Sequence, residues 1–183
     1  YKHVHADGIG CANSRNATMD LASGDVYTFT DDDCWYKDDS LEIVKKFGWP
    51  PDVIHCHGWM TSLIPMLLKT AYKKEPVFSQ SKSVFTAQPK QFEEKLPEDM
   101  FKMILNSVPI KDKDLEPYNN DNEGLIYGAC KYADVVIHGE DSISEEVLNG
   151  IKQTKSQKVI PYNEEWNEDI SSLFEVYQTL TVD

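Results

Sequence analysis

Two histidines flank a cysteine in His55-Cys56-His57, and both residue types can bind metals or exchange protons. On a β-strand His55 and His57 point to the same face, so they could share a zinc ion with a third ligand. By topology, His138, at the end of another apolar run, is the candidate for that ligand. The alternative is that His55 packs within a strand with its ring nitrogen satisfied, while His57 lines a cleft. We favour this alternative and predict no metal.

A break follows the histidines at Gly58, where a ligand or an unusual backbone conformation can be accommodated. The helix predicted after it would direct its positive end to the same spot, which suits a phosphate. The sequence contains neither GxGxxG nor GxxxxGK[ST], so the phosphate argument depends on one glycine. It also lacks GxSxG and a cysteine paired locally with a histidine. No nucleophile or cofactor site can therefore be singled out, and we predict no cofactor.

Short β-prone runs alternate with stretches of helical periodicity and so indicate the elements that position these residues. Strands are predicted near 53–56, 83–87, 135–138 and 158–160. Helices are predicted over 35–47, 62–72, 123–133 and 163–180. This alternation is typical of one three-layer α/β domain with a parallel sheet and right-handed crossovers. We treat residues 1–183 as a single domain.

The remaining segments give weaker patterns. Residues 91–106 look helical but are interrupted by Pro97, and 109–122 form a polar connection predicted to be the most mobile loop. Residues 25–29 alternate like a strand, and 142–149 look helical. The acidic run 31–33 lacks the ligand spacing of a calcium loop and is interpreted as solvated. In the closing helix, a stripe of large apolar side chains is predicted to pack on the domain: Trp166, Leu173 and Phe174.

Ligands of open α/β sheets bind beyond the carboxyl ends of the strands. Three predicted strands end near one another, so we expect a cleft there. Its predicted lining comes from the residues that end each strand: His57, Gly58, Trp59, Met60 and Thr61; Ala87 and Gln88; His138 and Gly139.

Composition limits the classes of partner. The 183 residues are 40% hydrophobic, which predicts a packed domain, and the net charge of -13 argues against nucleic acid or an anionic membrane. No apolar run approaches the roughly 20 residues of a membrane-spanning helix. The four cysteines show no regular spacing, so we interpret them as free thiols in a reducing cytoplasm.

The segment 51–63, PDVIHCHGWMTSL, resembles the PDxxHxHDWHT stretch of bacterial glycogen synthases and plant starch synthases, glycosyltransferase family 5. Residues 41–49 are similar to the preceding helix, and 82–86 to the strand before the family's HN pair. Residues 132–139, YADVVIHG, resemble the family's YADxVxTVS segment. The resemblance covers about 24–162, and the form HCHGWMTSL looks most like a shorter, divergent branch.

The resemblance implies the amino-terminal, Rossmann-like half of a GT-B glycosyltransferase. It also implies glucose transfer from ADP-glucose to an α-1,4-glucan, with α-glucan or sugar nucleotide as the small-molecule ligand. A carboxy-terminal domain or a partner chain would supply most of the sugar-nucleotide site. Trp59 would then either stack on a sugar ring or simply belong to the core.

The sequence departs from the family pattern at the residues that contact the donor. Met60 stands in place of the second histidine of DWH, and Gly58 in place of its aspartate. Gln88 and Pro89 replace the HN pair, and the KxGGL loop has no counterpart. The lost histidine favours an alternative function, a non-catalytic carbohydrate-binding or regulatory module on the same fold. A third hypothesis is a zinc-dependent hydrolase that uses the two histidines.

Overall fold

The computed structural model describes residues 50–140, 158–164 and 171–181, together with Lys46 and Gly48. Within 171–181, side chains are described from Glu175 to Leu180. Several predicted elements lie outside these residues: the strand at 25–29, the acidic run, most of the helix over 35–47, and the helix at 142–149. The side chains of Trp166, Leu173 and Phe174 lie outside them as well.

Four parallel strands form the described sheet, in the order β1-β2-β3-β4. Their bounds are β1 Val53–His57, β2 Lys82–Ala87, β3 Val135–His138 and β4 Lys158–Ile160. All four predicted strands are confirmed. Because β1, β2 and β3 are parallel and pair in chain order, each of the two described connections between them returns to the amino end of the sheet before the next strand begins.

Five α-helices are described: α1 Ile64–Lys69, α2 Met100–Ser107, α3 Asp112–Leu115, α4 Asn122–Tyr132 and α5 Ser171–Thr181. Short 3-10 helices at Trp59–Thr61 and Pro76–Phe78 complete the elements. Pro65 lies in the first turn of α1, as predicted, where its missing N–H costs nothing. None of the described helices combines the length and the apolar character needed to cross a bilayer.

The two faces of the sheet carry separate apolar clusters because side chains alternate along each strand. On one face, Phe85 and Val136 pack against α4 through Ile126 and Ala129, and all four are buried. The buried residues of the opposite face are Val84, Val135 and Ile137, which contact α5 through Tyr177 and Leu180. Helices therefore flank the sheet on both sides, which confirms the α/β, Rossmann-like fold class.

The prediction for residues 91–106 is only partly confirmed. The chain has no regular structure from Gln88 to Glu98, and the helix covers Met100–Ser107 alone. Pro97 supplies the reason, since it disfavours helical conformation in the residue before it. Instead, the backbone N–H of Leu96 donates to the carbonyl of Asn120 at 2.7 Å.

Residues 109–122, predicted to be the most mobile loop, are more structured than a plain polar connection, and their mobility stays a prediction. This segment contains the short helix α3, and Leu115, Tyr118 and Asn122 are buried. The hydroxyl of Tyr118 donates to the carbonyl of Ser62 at 3.0 Å. A few large side chains thus anchor a segment whose average composition is polar.

A polar clamp fixes the amino ends of the strands. The ammonium group of Lys69 donates to both carboxylate oxygens of Asp134 at 2.7 Å. One of these oxygens also accepts from the backbone N–H and the hydroxyl of Ser83, both at 2.8 Å. The clamp ties α1 to β2 and β3 at the end of the sheet opposite to the candidate site.

Candidate functional site

The structure brings the three predicted strand ends together. His57 pairs with Thr86, and Ala87 pairs with His138, so β1, β2 and β3 end side by side. The turns that follow are joined by backbone hydrogen bonds, from Gly58 N–H to the Thr86 carbonyl at 3.2 Å and from Gly139 N–H to the Ala87 carbonyl at 2.8 Å. We call the space beyond these ends the strand-end crevice.

Gly58 has backbone angles that only glycine adopts without strain, φ 64° and ψ -175°. A Cβ at this position would also lie 2.8 Å from Oε1 of Gln91 and 3.6 Å from Cγ of Gln88. The turn therefore requires glycine at this position, both for its backbone angles and for the two glutamine side chains that lie against it.

We expect Gly58→Ala to lower the free energy of unfolding by about 1–2 kcal/mol because of this backbone strain. Gly58→Asp, which restores the aspartate of the resembled family, should be at least as destabilising. Urea titration of both variants tests this expectation. An unchanged midpoint in either variant would show that the turn relaxes at no cost.

Gly139 is equally close to its neighbours. A Cβ there would lie 2.9 Å from the Ala87 carbonyl oxygen, 3.0 Å from Cγ2 of Thr86 and 3.1 Å from Cδ of Gln88. The side chain of Gln88 thus lies near both glycine turns, and the predicted residues Gly58, Gln88 and Gly139 form one group. His138, half-buried at the end of β3, borders this group.

The residues after Gly58 form the 3-10 helix and have unequal access to solvent. Trp59 is half-buried and meets the ring of Phe92 edge-on, with centroids 4.8 Å apart. It also packs against the core beneath α4, so it is a core residue with one part facing outward. Met60 is half-buried. Thr61 is buried, and its hydroxyl donates to the His57 carbonyl at 2.9 Å, so it shapes the turn.

His55 and His57 do share a face, and their rings stack with centroids 4.0 Å apart. Burial, and secondarily His57, lower the pKa of His55 to about 3, so its ring is neutral. Its Nδ1 bonds the hydroxyl of Tyr177, and its Nε2 lies 2.7 Å from Oγ1 of Thr86. Desolvation lowers the pKa of His57 as well.

This arrangement fits the interpretation of His55 as a packed residue with satisfied nitrogens. A zinc ion on either nitrogen of that ring would have to displace the hydroxyl partner that the nitrogen already has. Across the described part of the chain, no group of three or more His, Cys, Asp or Glu side chains is placed to hold a metal. Burial raises the pKa of the Cys56 thiol to about 12, so the cysteine between the histidines stays protonated.

Four residues of the site region were not predicted to belong to it: Thr86, Gln91, Phe92 and Tyr177. Gln91 and Phe92 fall within the segment 91–106 that looks helical, and Tyr177 falls within the helix predicted over 163–180. Tyr177 meets His55 across 122 positions of sequence. No local sequence pattern predicts such a contact. Thr86, by contrast, could have been predicted as a site residue because it lies one residue before a predicted strand end.

Comparison with known proteins identifies the family of the chain. Residues 24–160 match the starch synthase catalytic domain family, so the chain belongs to that family. A glycogen synthase of Pelodictyon phaeoclathratiforme is 32% identical over 136 residues, 74% of this chain and 27% of that protein. A glycogen synthase of Chlorobium limicola is 29% identical over 131 residues, 72% of this chain and 26% of that protein.

A third relative, a glycogen synthase of Desulforudis audaxviator, is 32% identical over 108 residues, 58% of this chain and 21% of that protein. The chain thus spans about a quarter of the length of the curated relatives it matches. No solved structure matches the chain. The matched family region includes β1, β2 and β3, and hence all three strand ends of the crevice.

Proposed function

We propose that the strand-end crevice binds an α-glucan chain, and that this domain belongs to a protein of the glycogen and starch synthase type. The observation that carries the proposal is the convergence of two carboxamides on the glycine turns: that of Gln91 lies against Gly58, and that of Gln88 lies against Gly139. Within the described residues, neither carboxamide has a hydrogen-bond partner in the protein. Each offers donors and an acceptor without charge, which suits sugar hydroxyl groups.

Aromatic surface stands beside the carboxamides. Trp59 and Phe92 pack edge to face at the same turn, and both remain partly exposed. Small-molecule sites commonly combine apolar and aromatic walls with a few placed polar groups. His57, an exposed residue whose ring stacks on His55, adds another polar edge at the end of β1.

The charges near the crevice favour a neutral ligand over a sugar nucleotide. Lys90 is the basic residue of the segment 88–92, and its ammonium group is paired with Glu93 at 2.5 Å. Met60, in place of a histidine, offers the donor sugar only a weak acceptor. We therefore propose that the chain alone binds ADP-glucose weakly, and that glucose transfer would require donor-site groups from a further domain or a partner chain.

Two further proposals accompany this function. Residues 1–183 act as one domain, whose role without donor-site groups is binding rather than catalysis. The protein works in the cytoplasm, a compartment consistent with the free, buried thiols of Cys56 and Cys130.

Calorimetry with maltoheptaose tests the proposed function. The chain should bind it, and Gln91→Leu should weaken binding about threefold to tenfold, the effect of one lost hydrogen bond. Gln80→Leu is the matched control, because Gln80 is an exposed glutamine before the amino end of β2, far from the crevice. ADP-glucose should give little or no heat and no turnover.

Other outcomes would contradict separate parts of the proposal. If maltoheptaose does not bind the unmodified chain, the glucan site is wrong. If Gln91→Leu and Gln80→Leu bind equally well, the carboxamides do not contribute. Tight binding of ADP-glucose would show that the chain carries a complete donor site.

A further inference from the structure

We propose that Tyr177, on the closing helix α5, is a positioning residue for the strand-end crevice, acting through His55 and Thr86 on the two glycine turns. The proposal extends the proposed function by stating what holds its site in shape. It rests on a continuous set of contacts from the sheet face beneath α5 to the carboxyl ends of the strands.

The first link is the imidazole of His55, which bonds a hydroxyl group at each nitrogen. A neutral imidazole has one N–H and one lone pair, so one hydroxyl must donate to the ring while the other accepts from it. A phenol is more acidic than an aliphatic alcohol, which favours Tyr177 as the donor to Nδ1 and Thr86 as the acceptor from Nε2. The His55 tautomer with its proton on Nε2 therefore fixes Tyr177 as a hydrogen-bond donor and Thr86 as an acceptor.

The second link is Thr86, which contacts both glycine turns. Its carbonyl accepts from Gly58 N–H at 3.2 Å. Its methyl group would lie 3.0 Å from a Cβ at Gly139, so it occupies the space that this glycine leaves open. A rotation of the Thr86 side chain would press on the Gly139 turn, and a shift of its backbone would move Gly58.

The third link is the way α5 is held. Leu180 packs against the apolar face formed by Val84, Val135 and Ile137, and this kind of contact is non-directional. The hydroxyl of Tyr177 adds a directional bond at a ring set edge-on to His55, with centroids 5.6 Å apart. Apolar packing therefore holds α5 on the sheet, while the hydroxyl of Tyr177 orients His55.

The test compares Tyr177→Phe with Leu180→Ala in the full 183-residue chain. Nuclear magnetic resonance reports the tautomer of His55 from its ring nitrogens and the state of the turns from the amides of Gly58 and Gly139. Tyr177→Phe should change the tautomer ratio and shift both amides. Leu180→Ala removes packing from the same helix but keeps the phenol, and should lower the thermal midpoint while leaving these signals in place.

A second variant removes the other hydroxyl partner of His55, which lies on β2. Thr86→Val keeps the shape of Thr86 but removes its hydroxyl, and it should shift the same glycine amides even if Tyr177→Phe fails to fold. Maltoheptaose affinity should fall roughly threefold to tenfold in both hydroxyl variants. Unmoved amides in the hydroxyl variants, or equal shifts in Leu180→Ala, would overturn the positioning role. Absence of glucan binding by the unmodified chain would overturn the proposed function, whereas the spectra would still decide the role of Tyr177.

Discussion

Replacing Gly128 by alanine should lower the free energy of unfolding by about 2–3 kcal/mol, the upper part of the range for an overpacked core. Gly128 is buried in α4, and a Cβ there would lie 2.2 Å from Cδ1 of Tyr118. The phenol ring cannot easily move aside because it is buried and its hydroxyl donates to Ser62. Alanine gains about 1 kcal/mol in helix propensity, which the clash outweighs.

A double-mutant cycle isolates this clash. In a Tyr118→Ala background the obstacle is gone, so Gly128→Ala should become neutral or stabilising. Urea titration of the four proteins gives the coupling between the two positions. A Gly128→Ala variant as stable as the unmodified chain would show that Tyr118 repacks freely.

Removal of the Asp134 carboxylate should cost a similar amount, about 3 kcal/mol for Asp134→Ala. The change leaves the ammonium of Lys69 without its partner and removes the acceptor for the buried Ser83 N–H. Loss of hydrogen bonds to a charged group costs about 1.5–3 kcal/mol, and an unsatisfied buried donor adds to that. Chemical denaturation provides the measurement, with Glu93→Ala as the control, since its pair with Lys90 is exposed and worth at most about 1 kcal/mol.

The same carboxylate predicts a pH dependence. Burial alone would raise the pKa of Asp134, but the hydrogen bonds from Lys69 and Ser83 outweigh it, and the pKa is lowered. A lowered folded-state pKa contributes stability that is present above the unfolded value of about 4 and lost as pH falls below it. The stability difference between the unmodified chain and Asp134→Asn should therefore shrink on acidification below about pH 4. A constant difference down to pH 2 would contradict the clamp.

The sequence alone determined the class of fold and the location of the candidate site. Continuous apolar runs such as 135–137 are buried on both faces, and a strand buried in that way is recognisable because nearly every side chain must be apolar. Turn residues and helical stripes lie between these runs. Strands joined by such helical connections form a parallel sheet. Since strand ends in such a sheet lie together, the candidate residues His57, Gln88 and Gly139 followed from topology.

The tertiary structure alone decided how the site is built and what surrounds it. Phe92 and Tyr118 lie in segments whose local composition is polar or interrupted by proline, and their burial depends on distant partners that no local pattern encodes. The backbone angles of Gly58 and the approach of Gln91 likewise arise from packing between segments 30 or more positions apart. Tyr177 reaches His55 from the far end of the chain, so periodicity could place it in a helix but could not reveal its hydroxyl partner. Local periodicity reports which face of an element is apolar, whereas the pairing of polar groups across the sheet is fixed only when the elements pack.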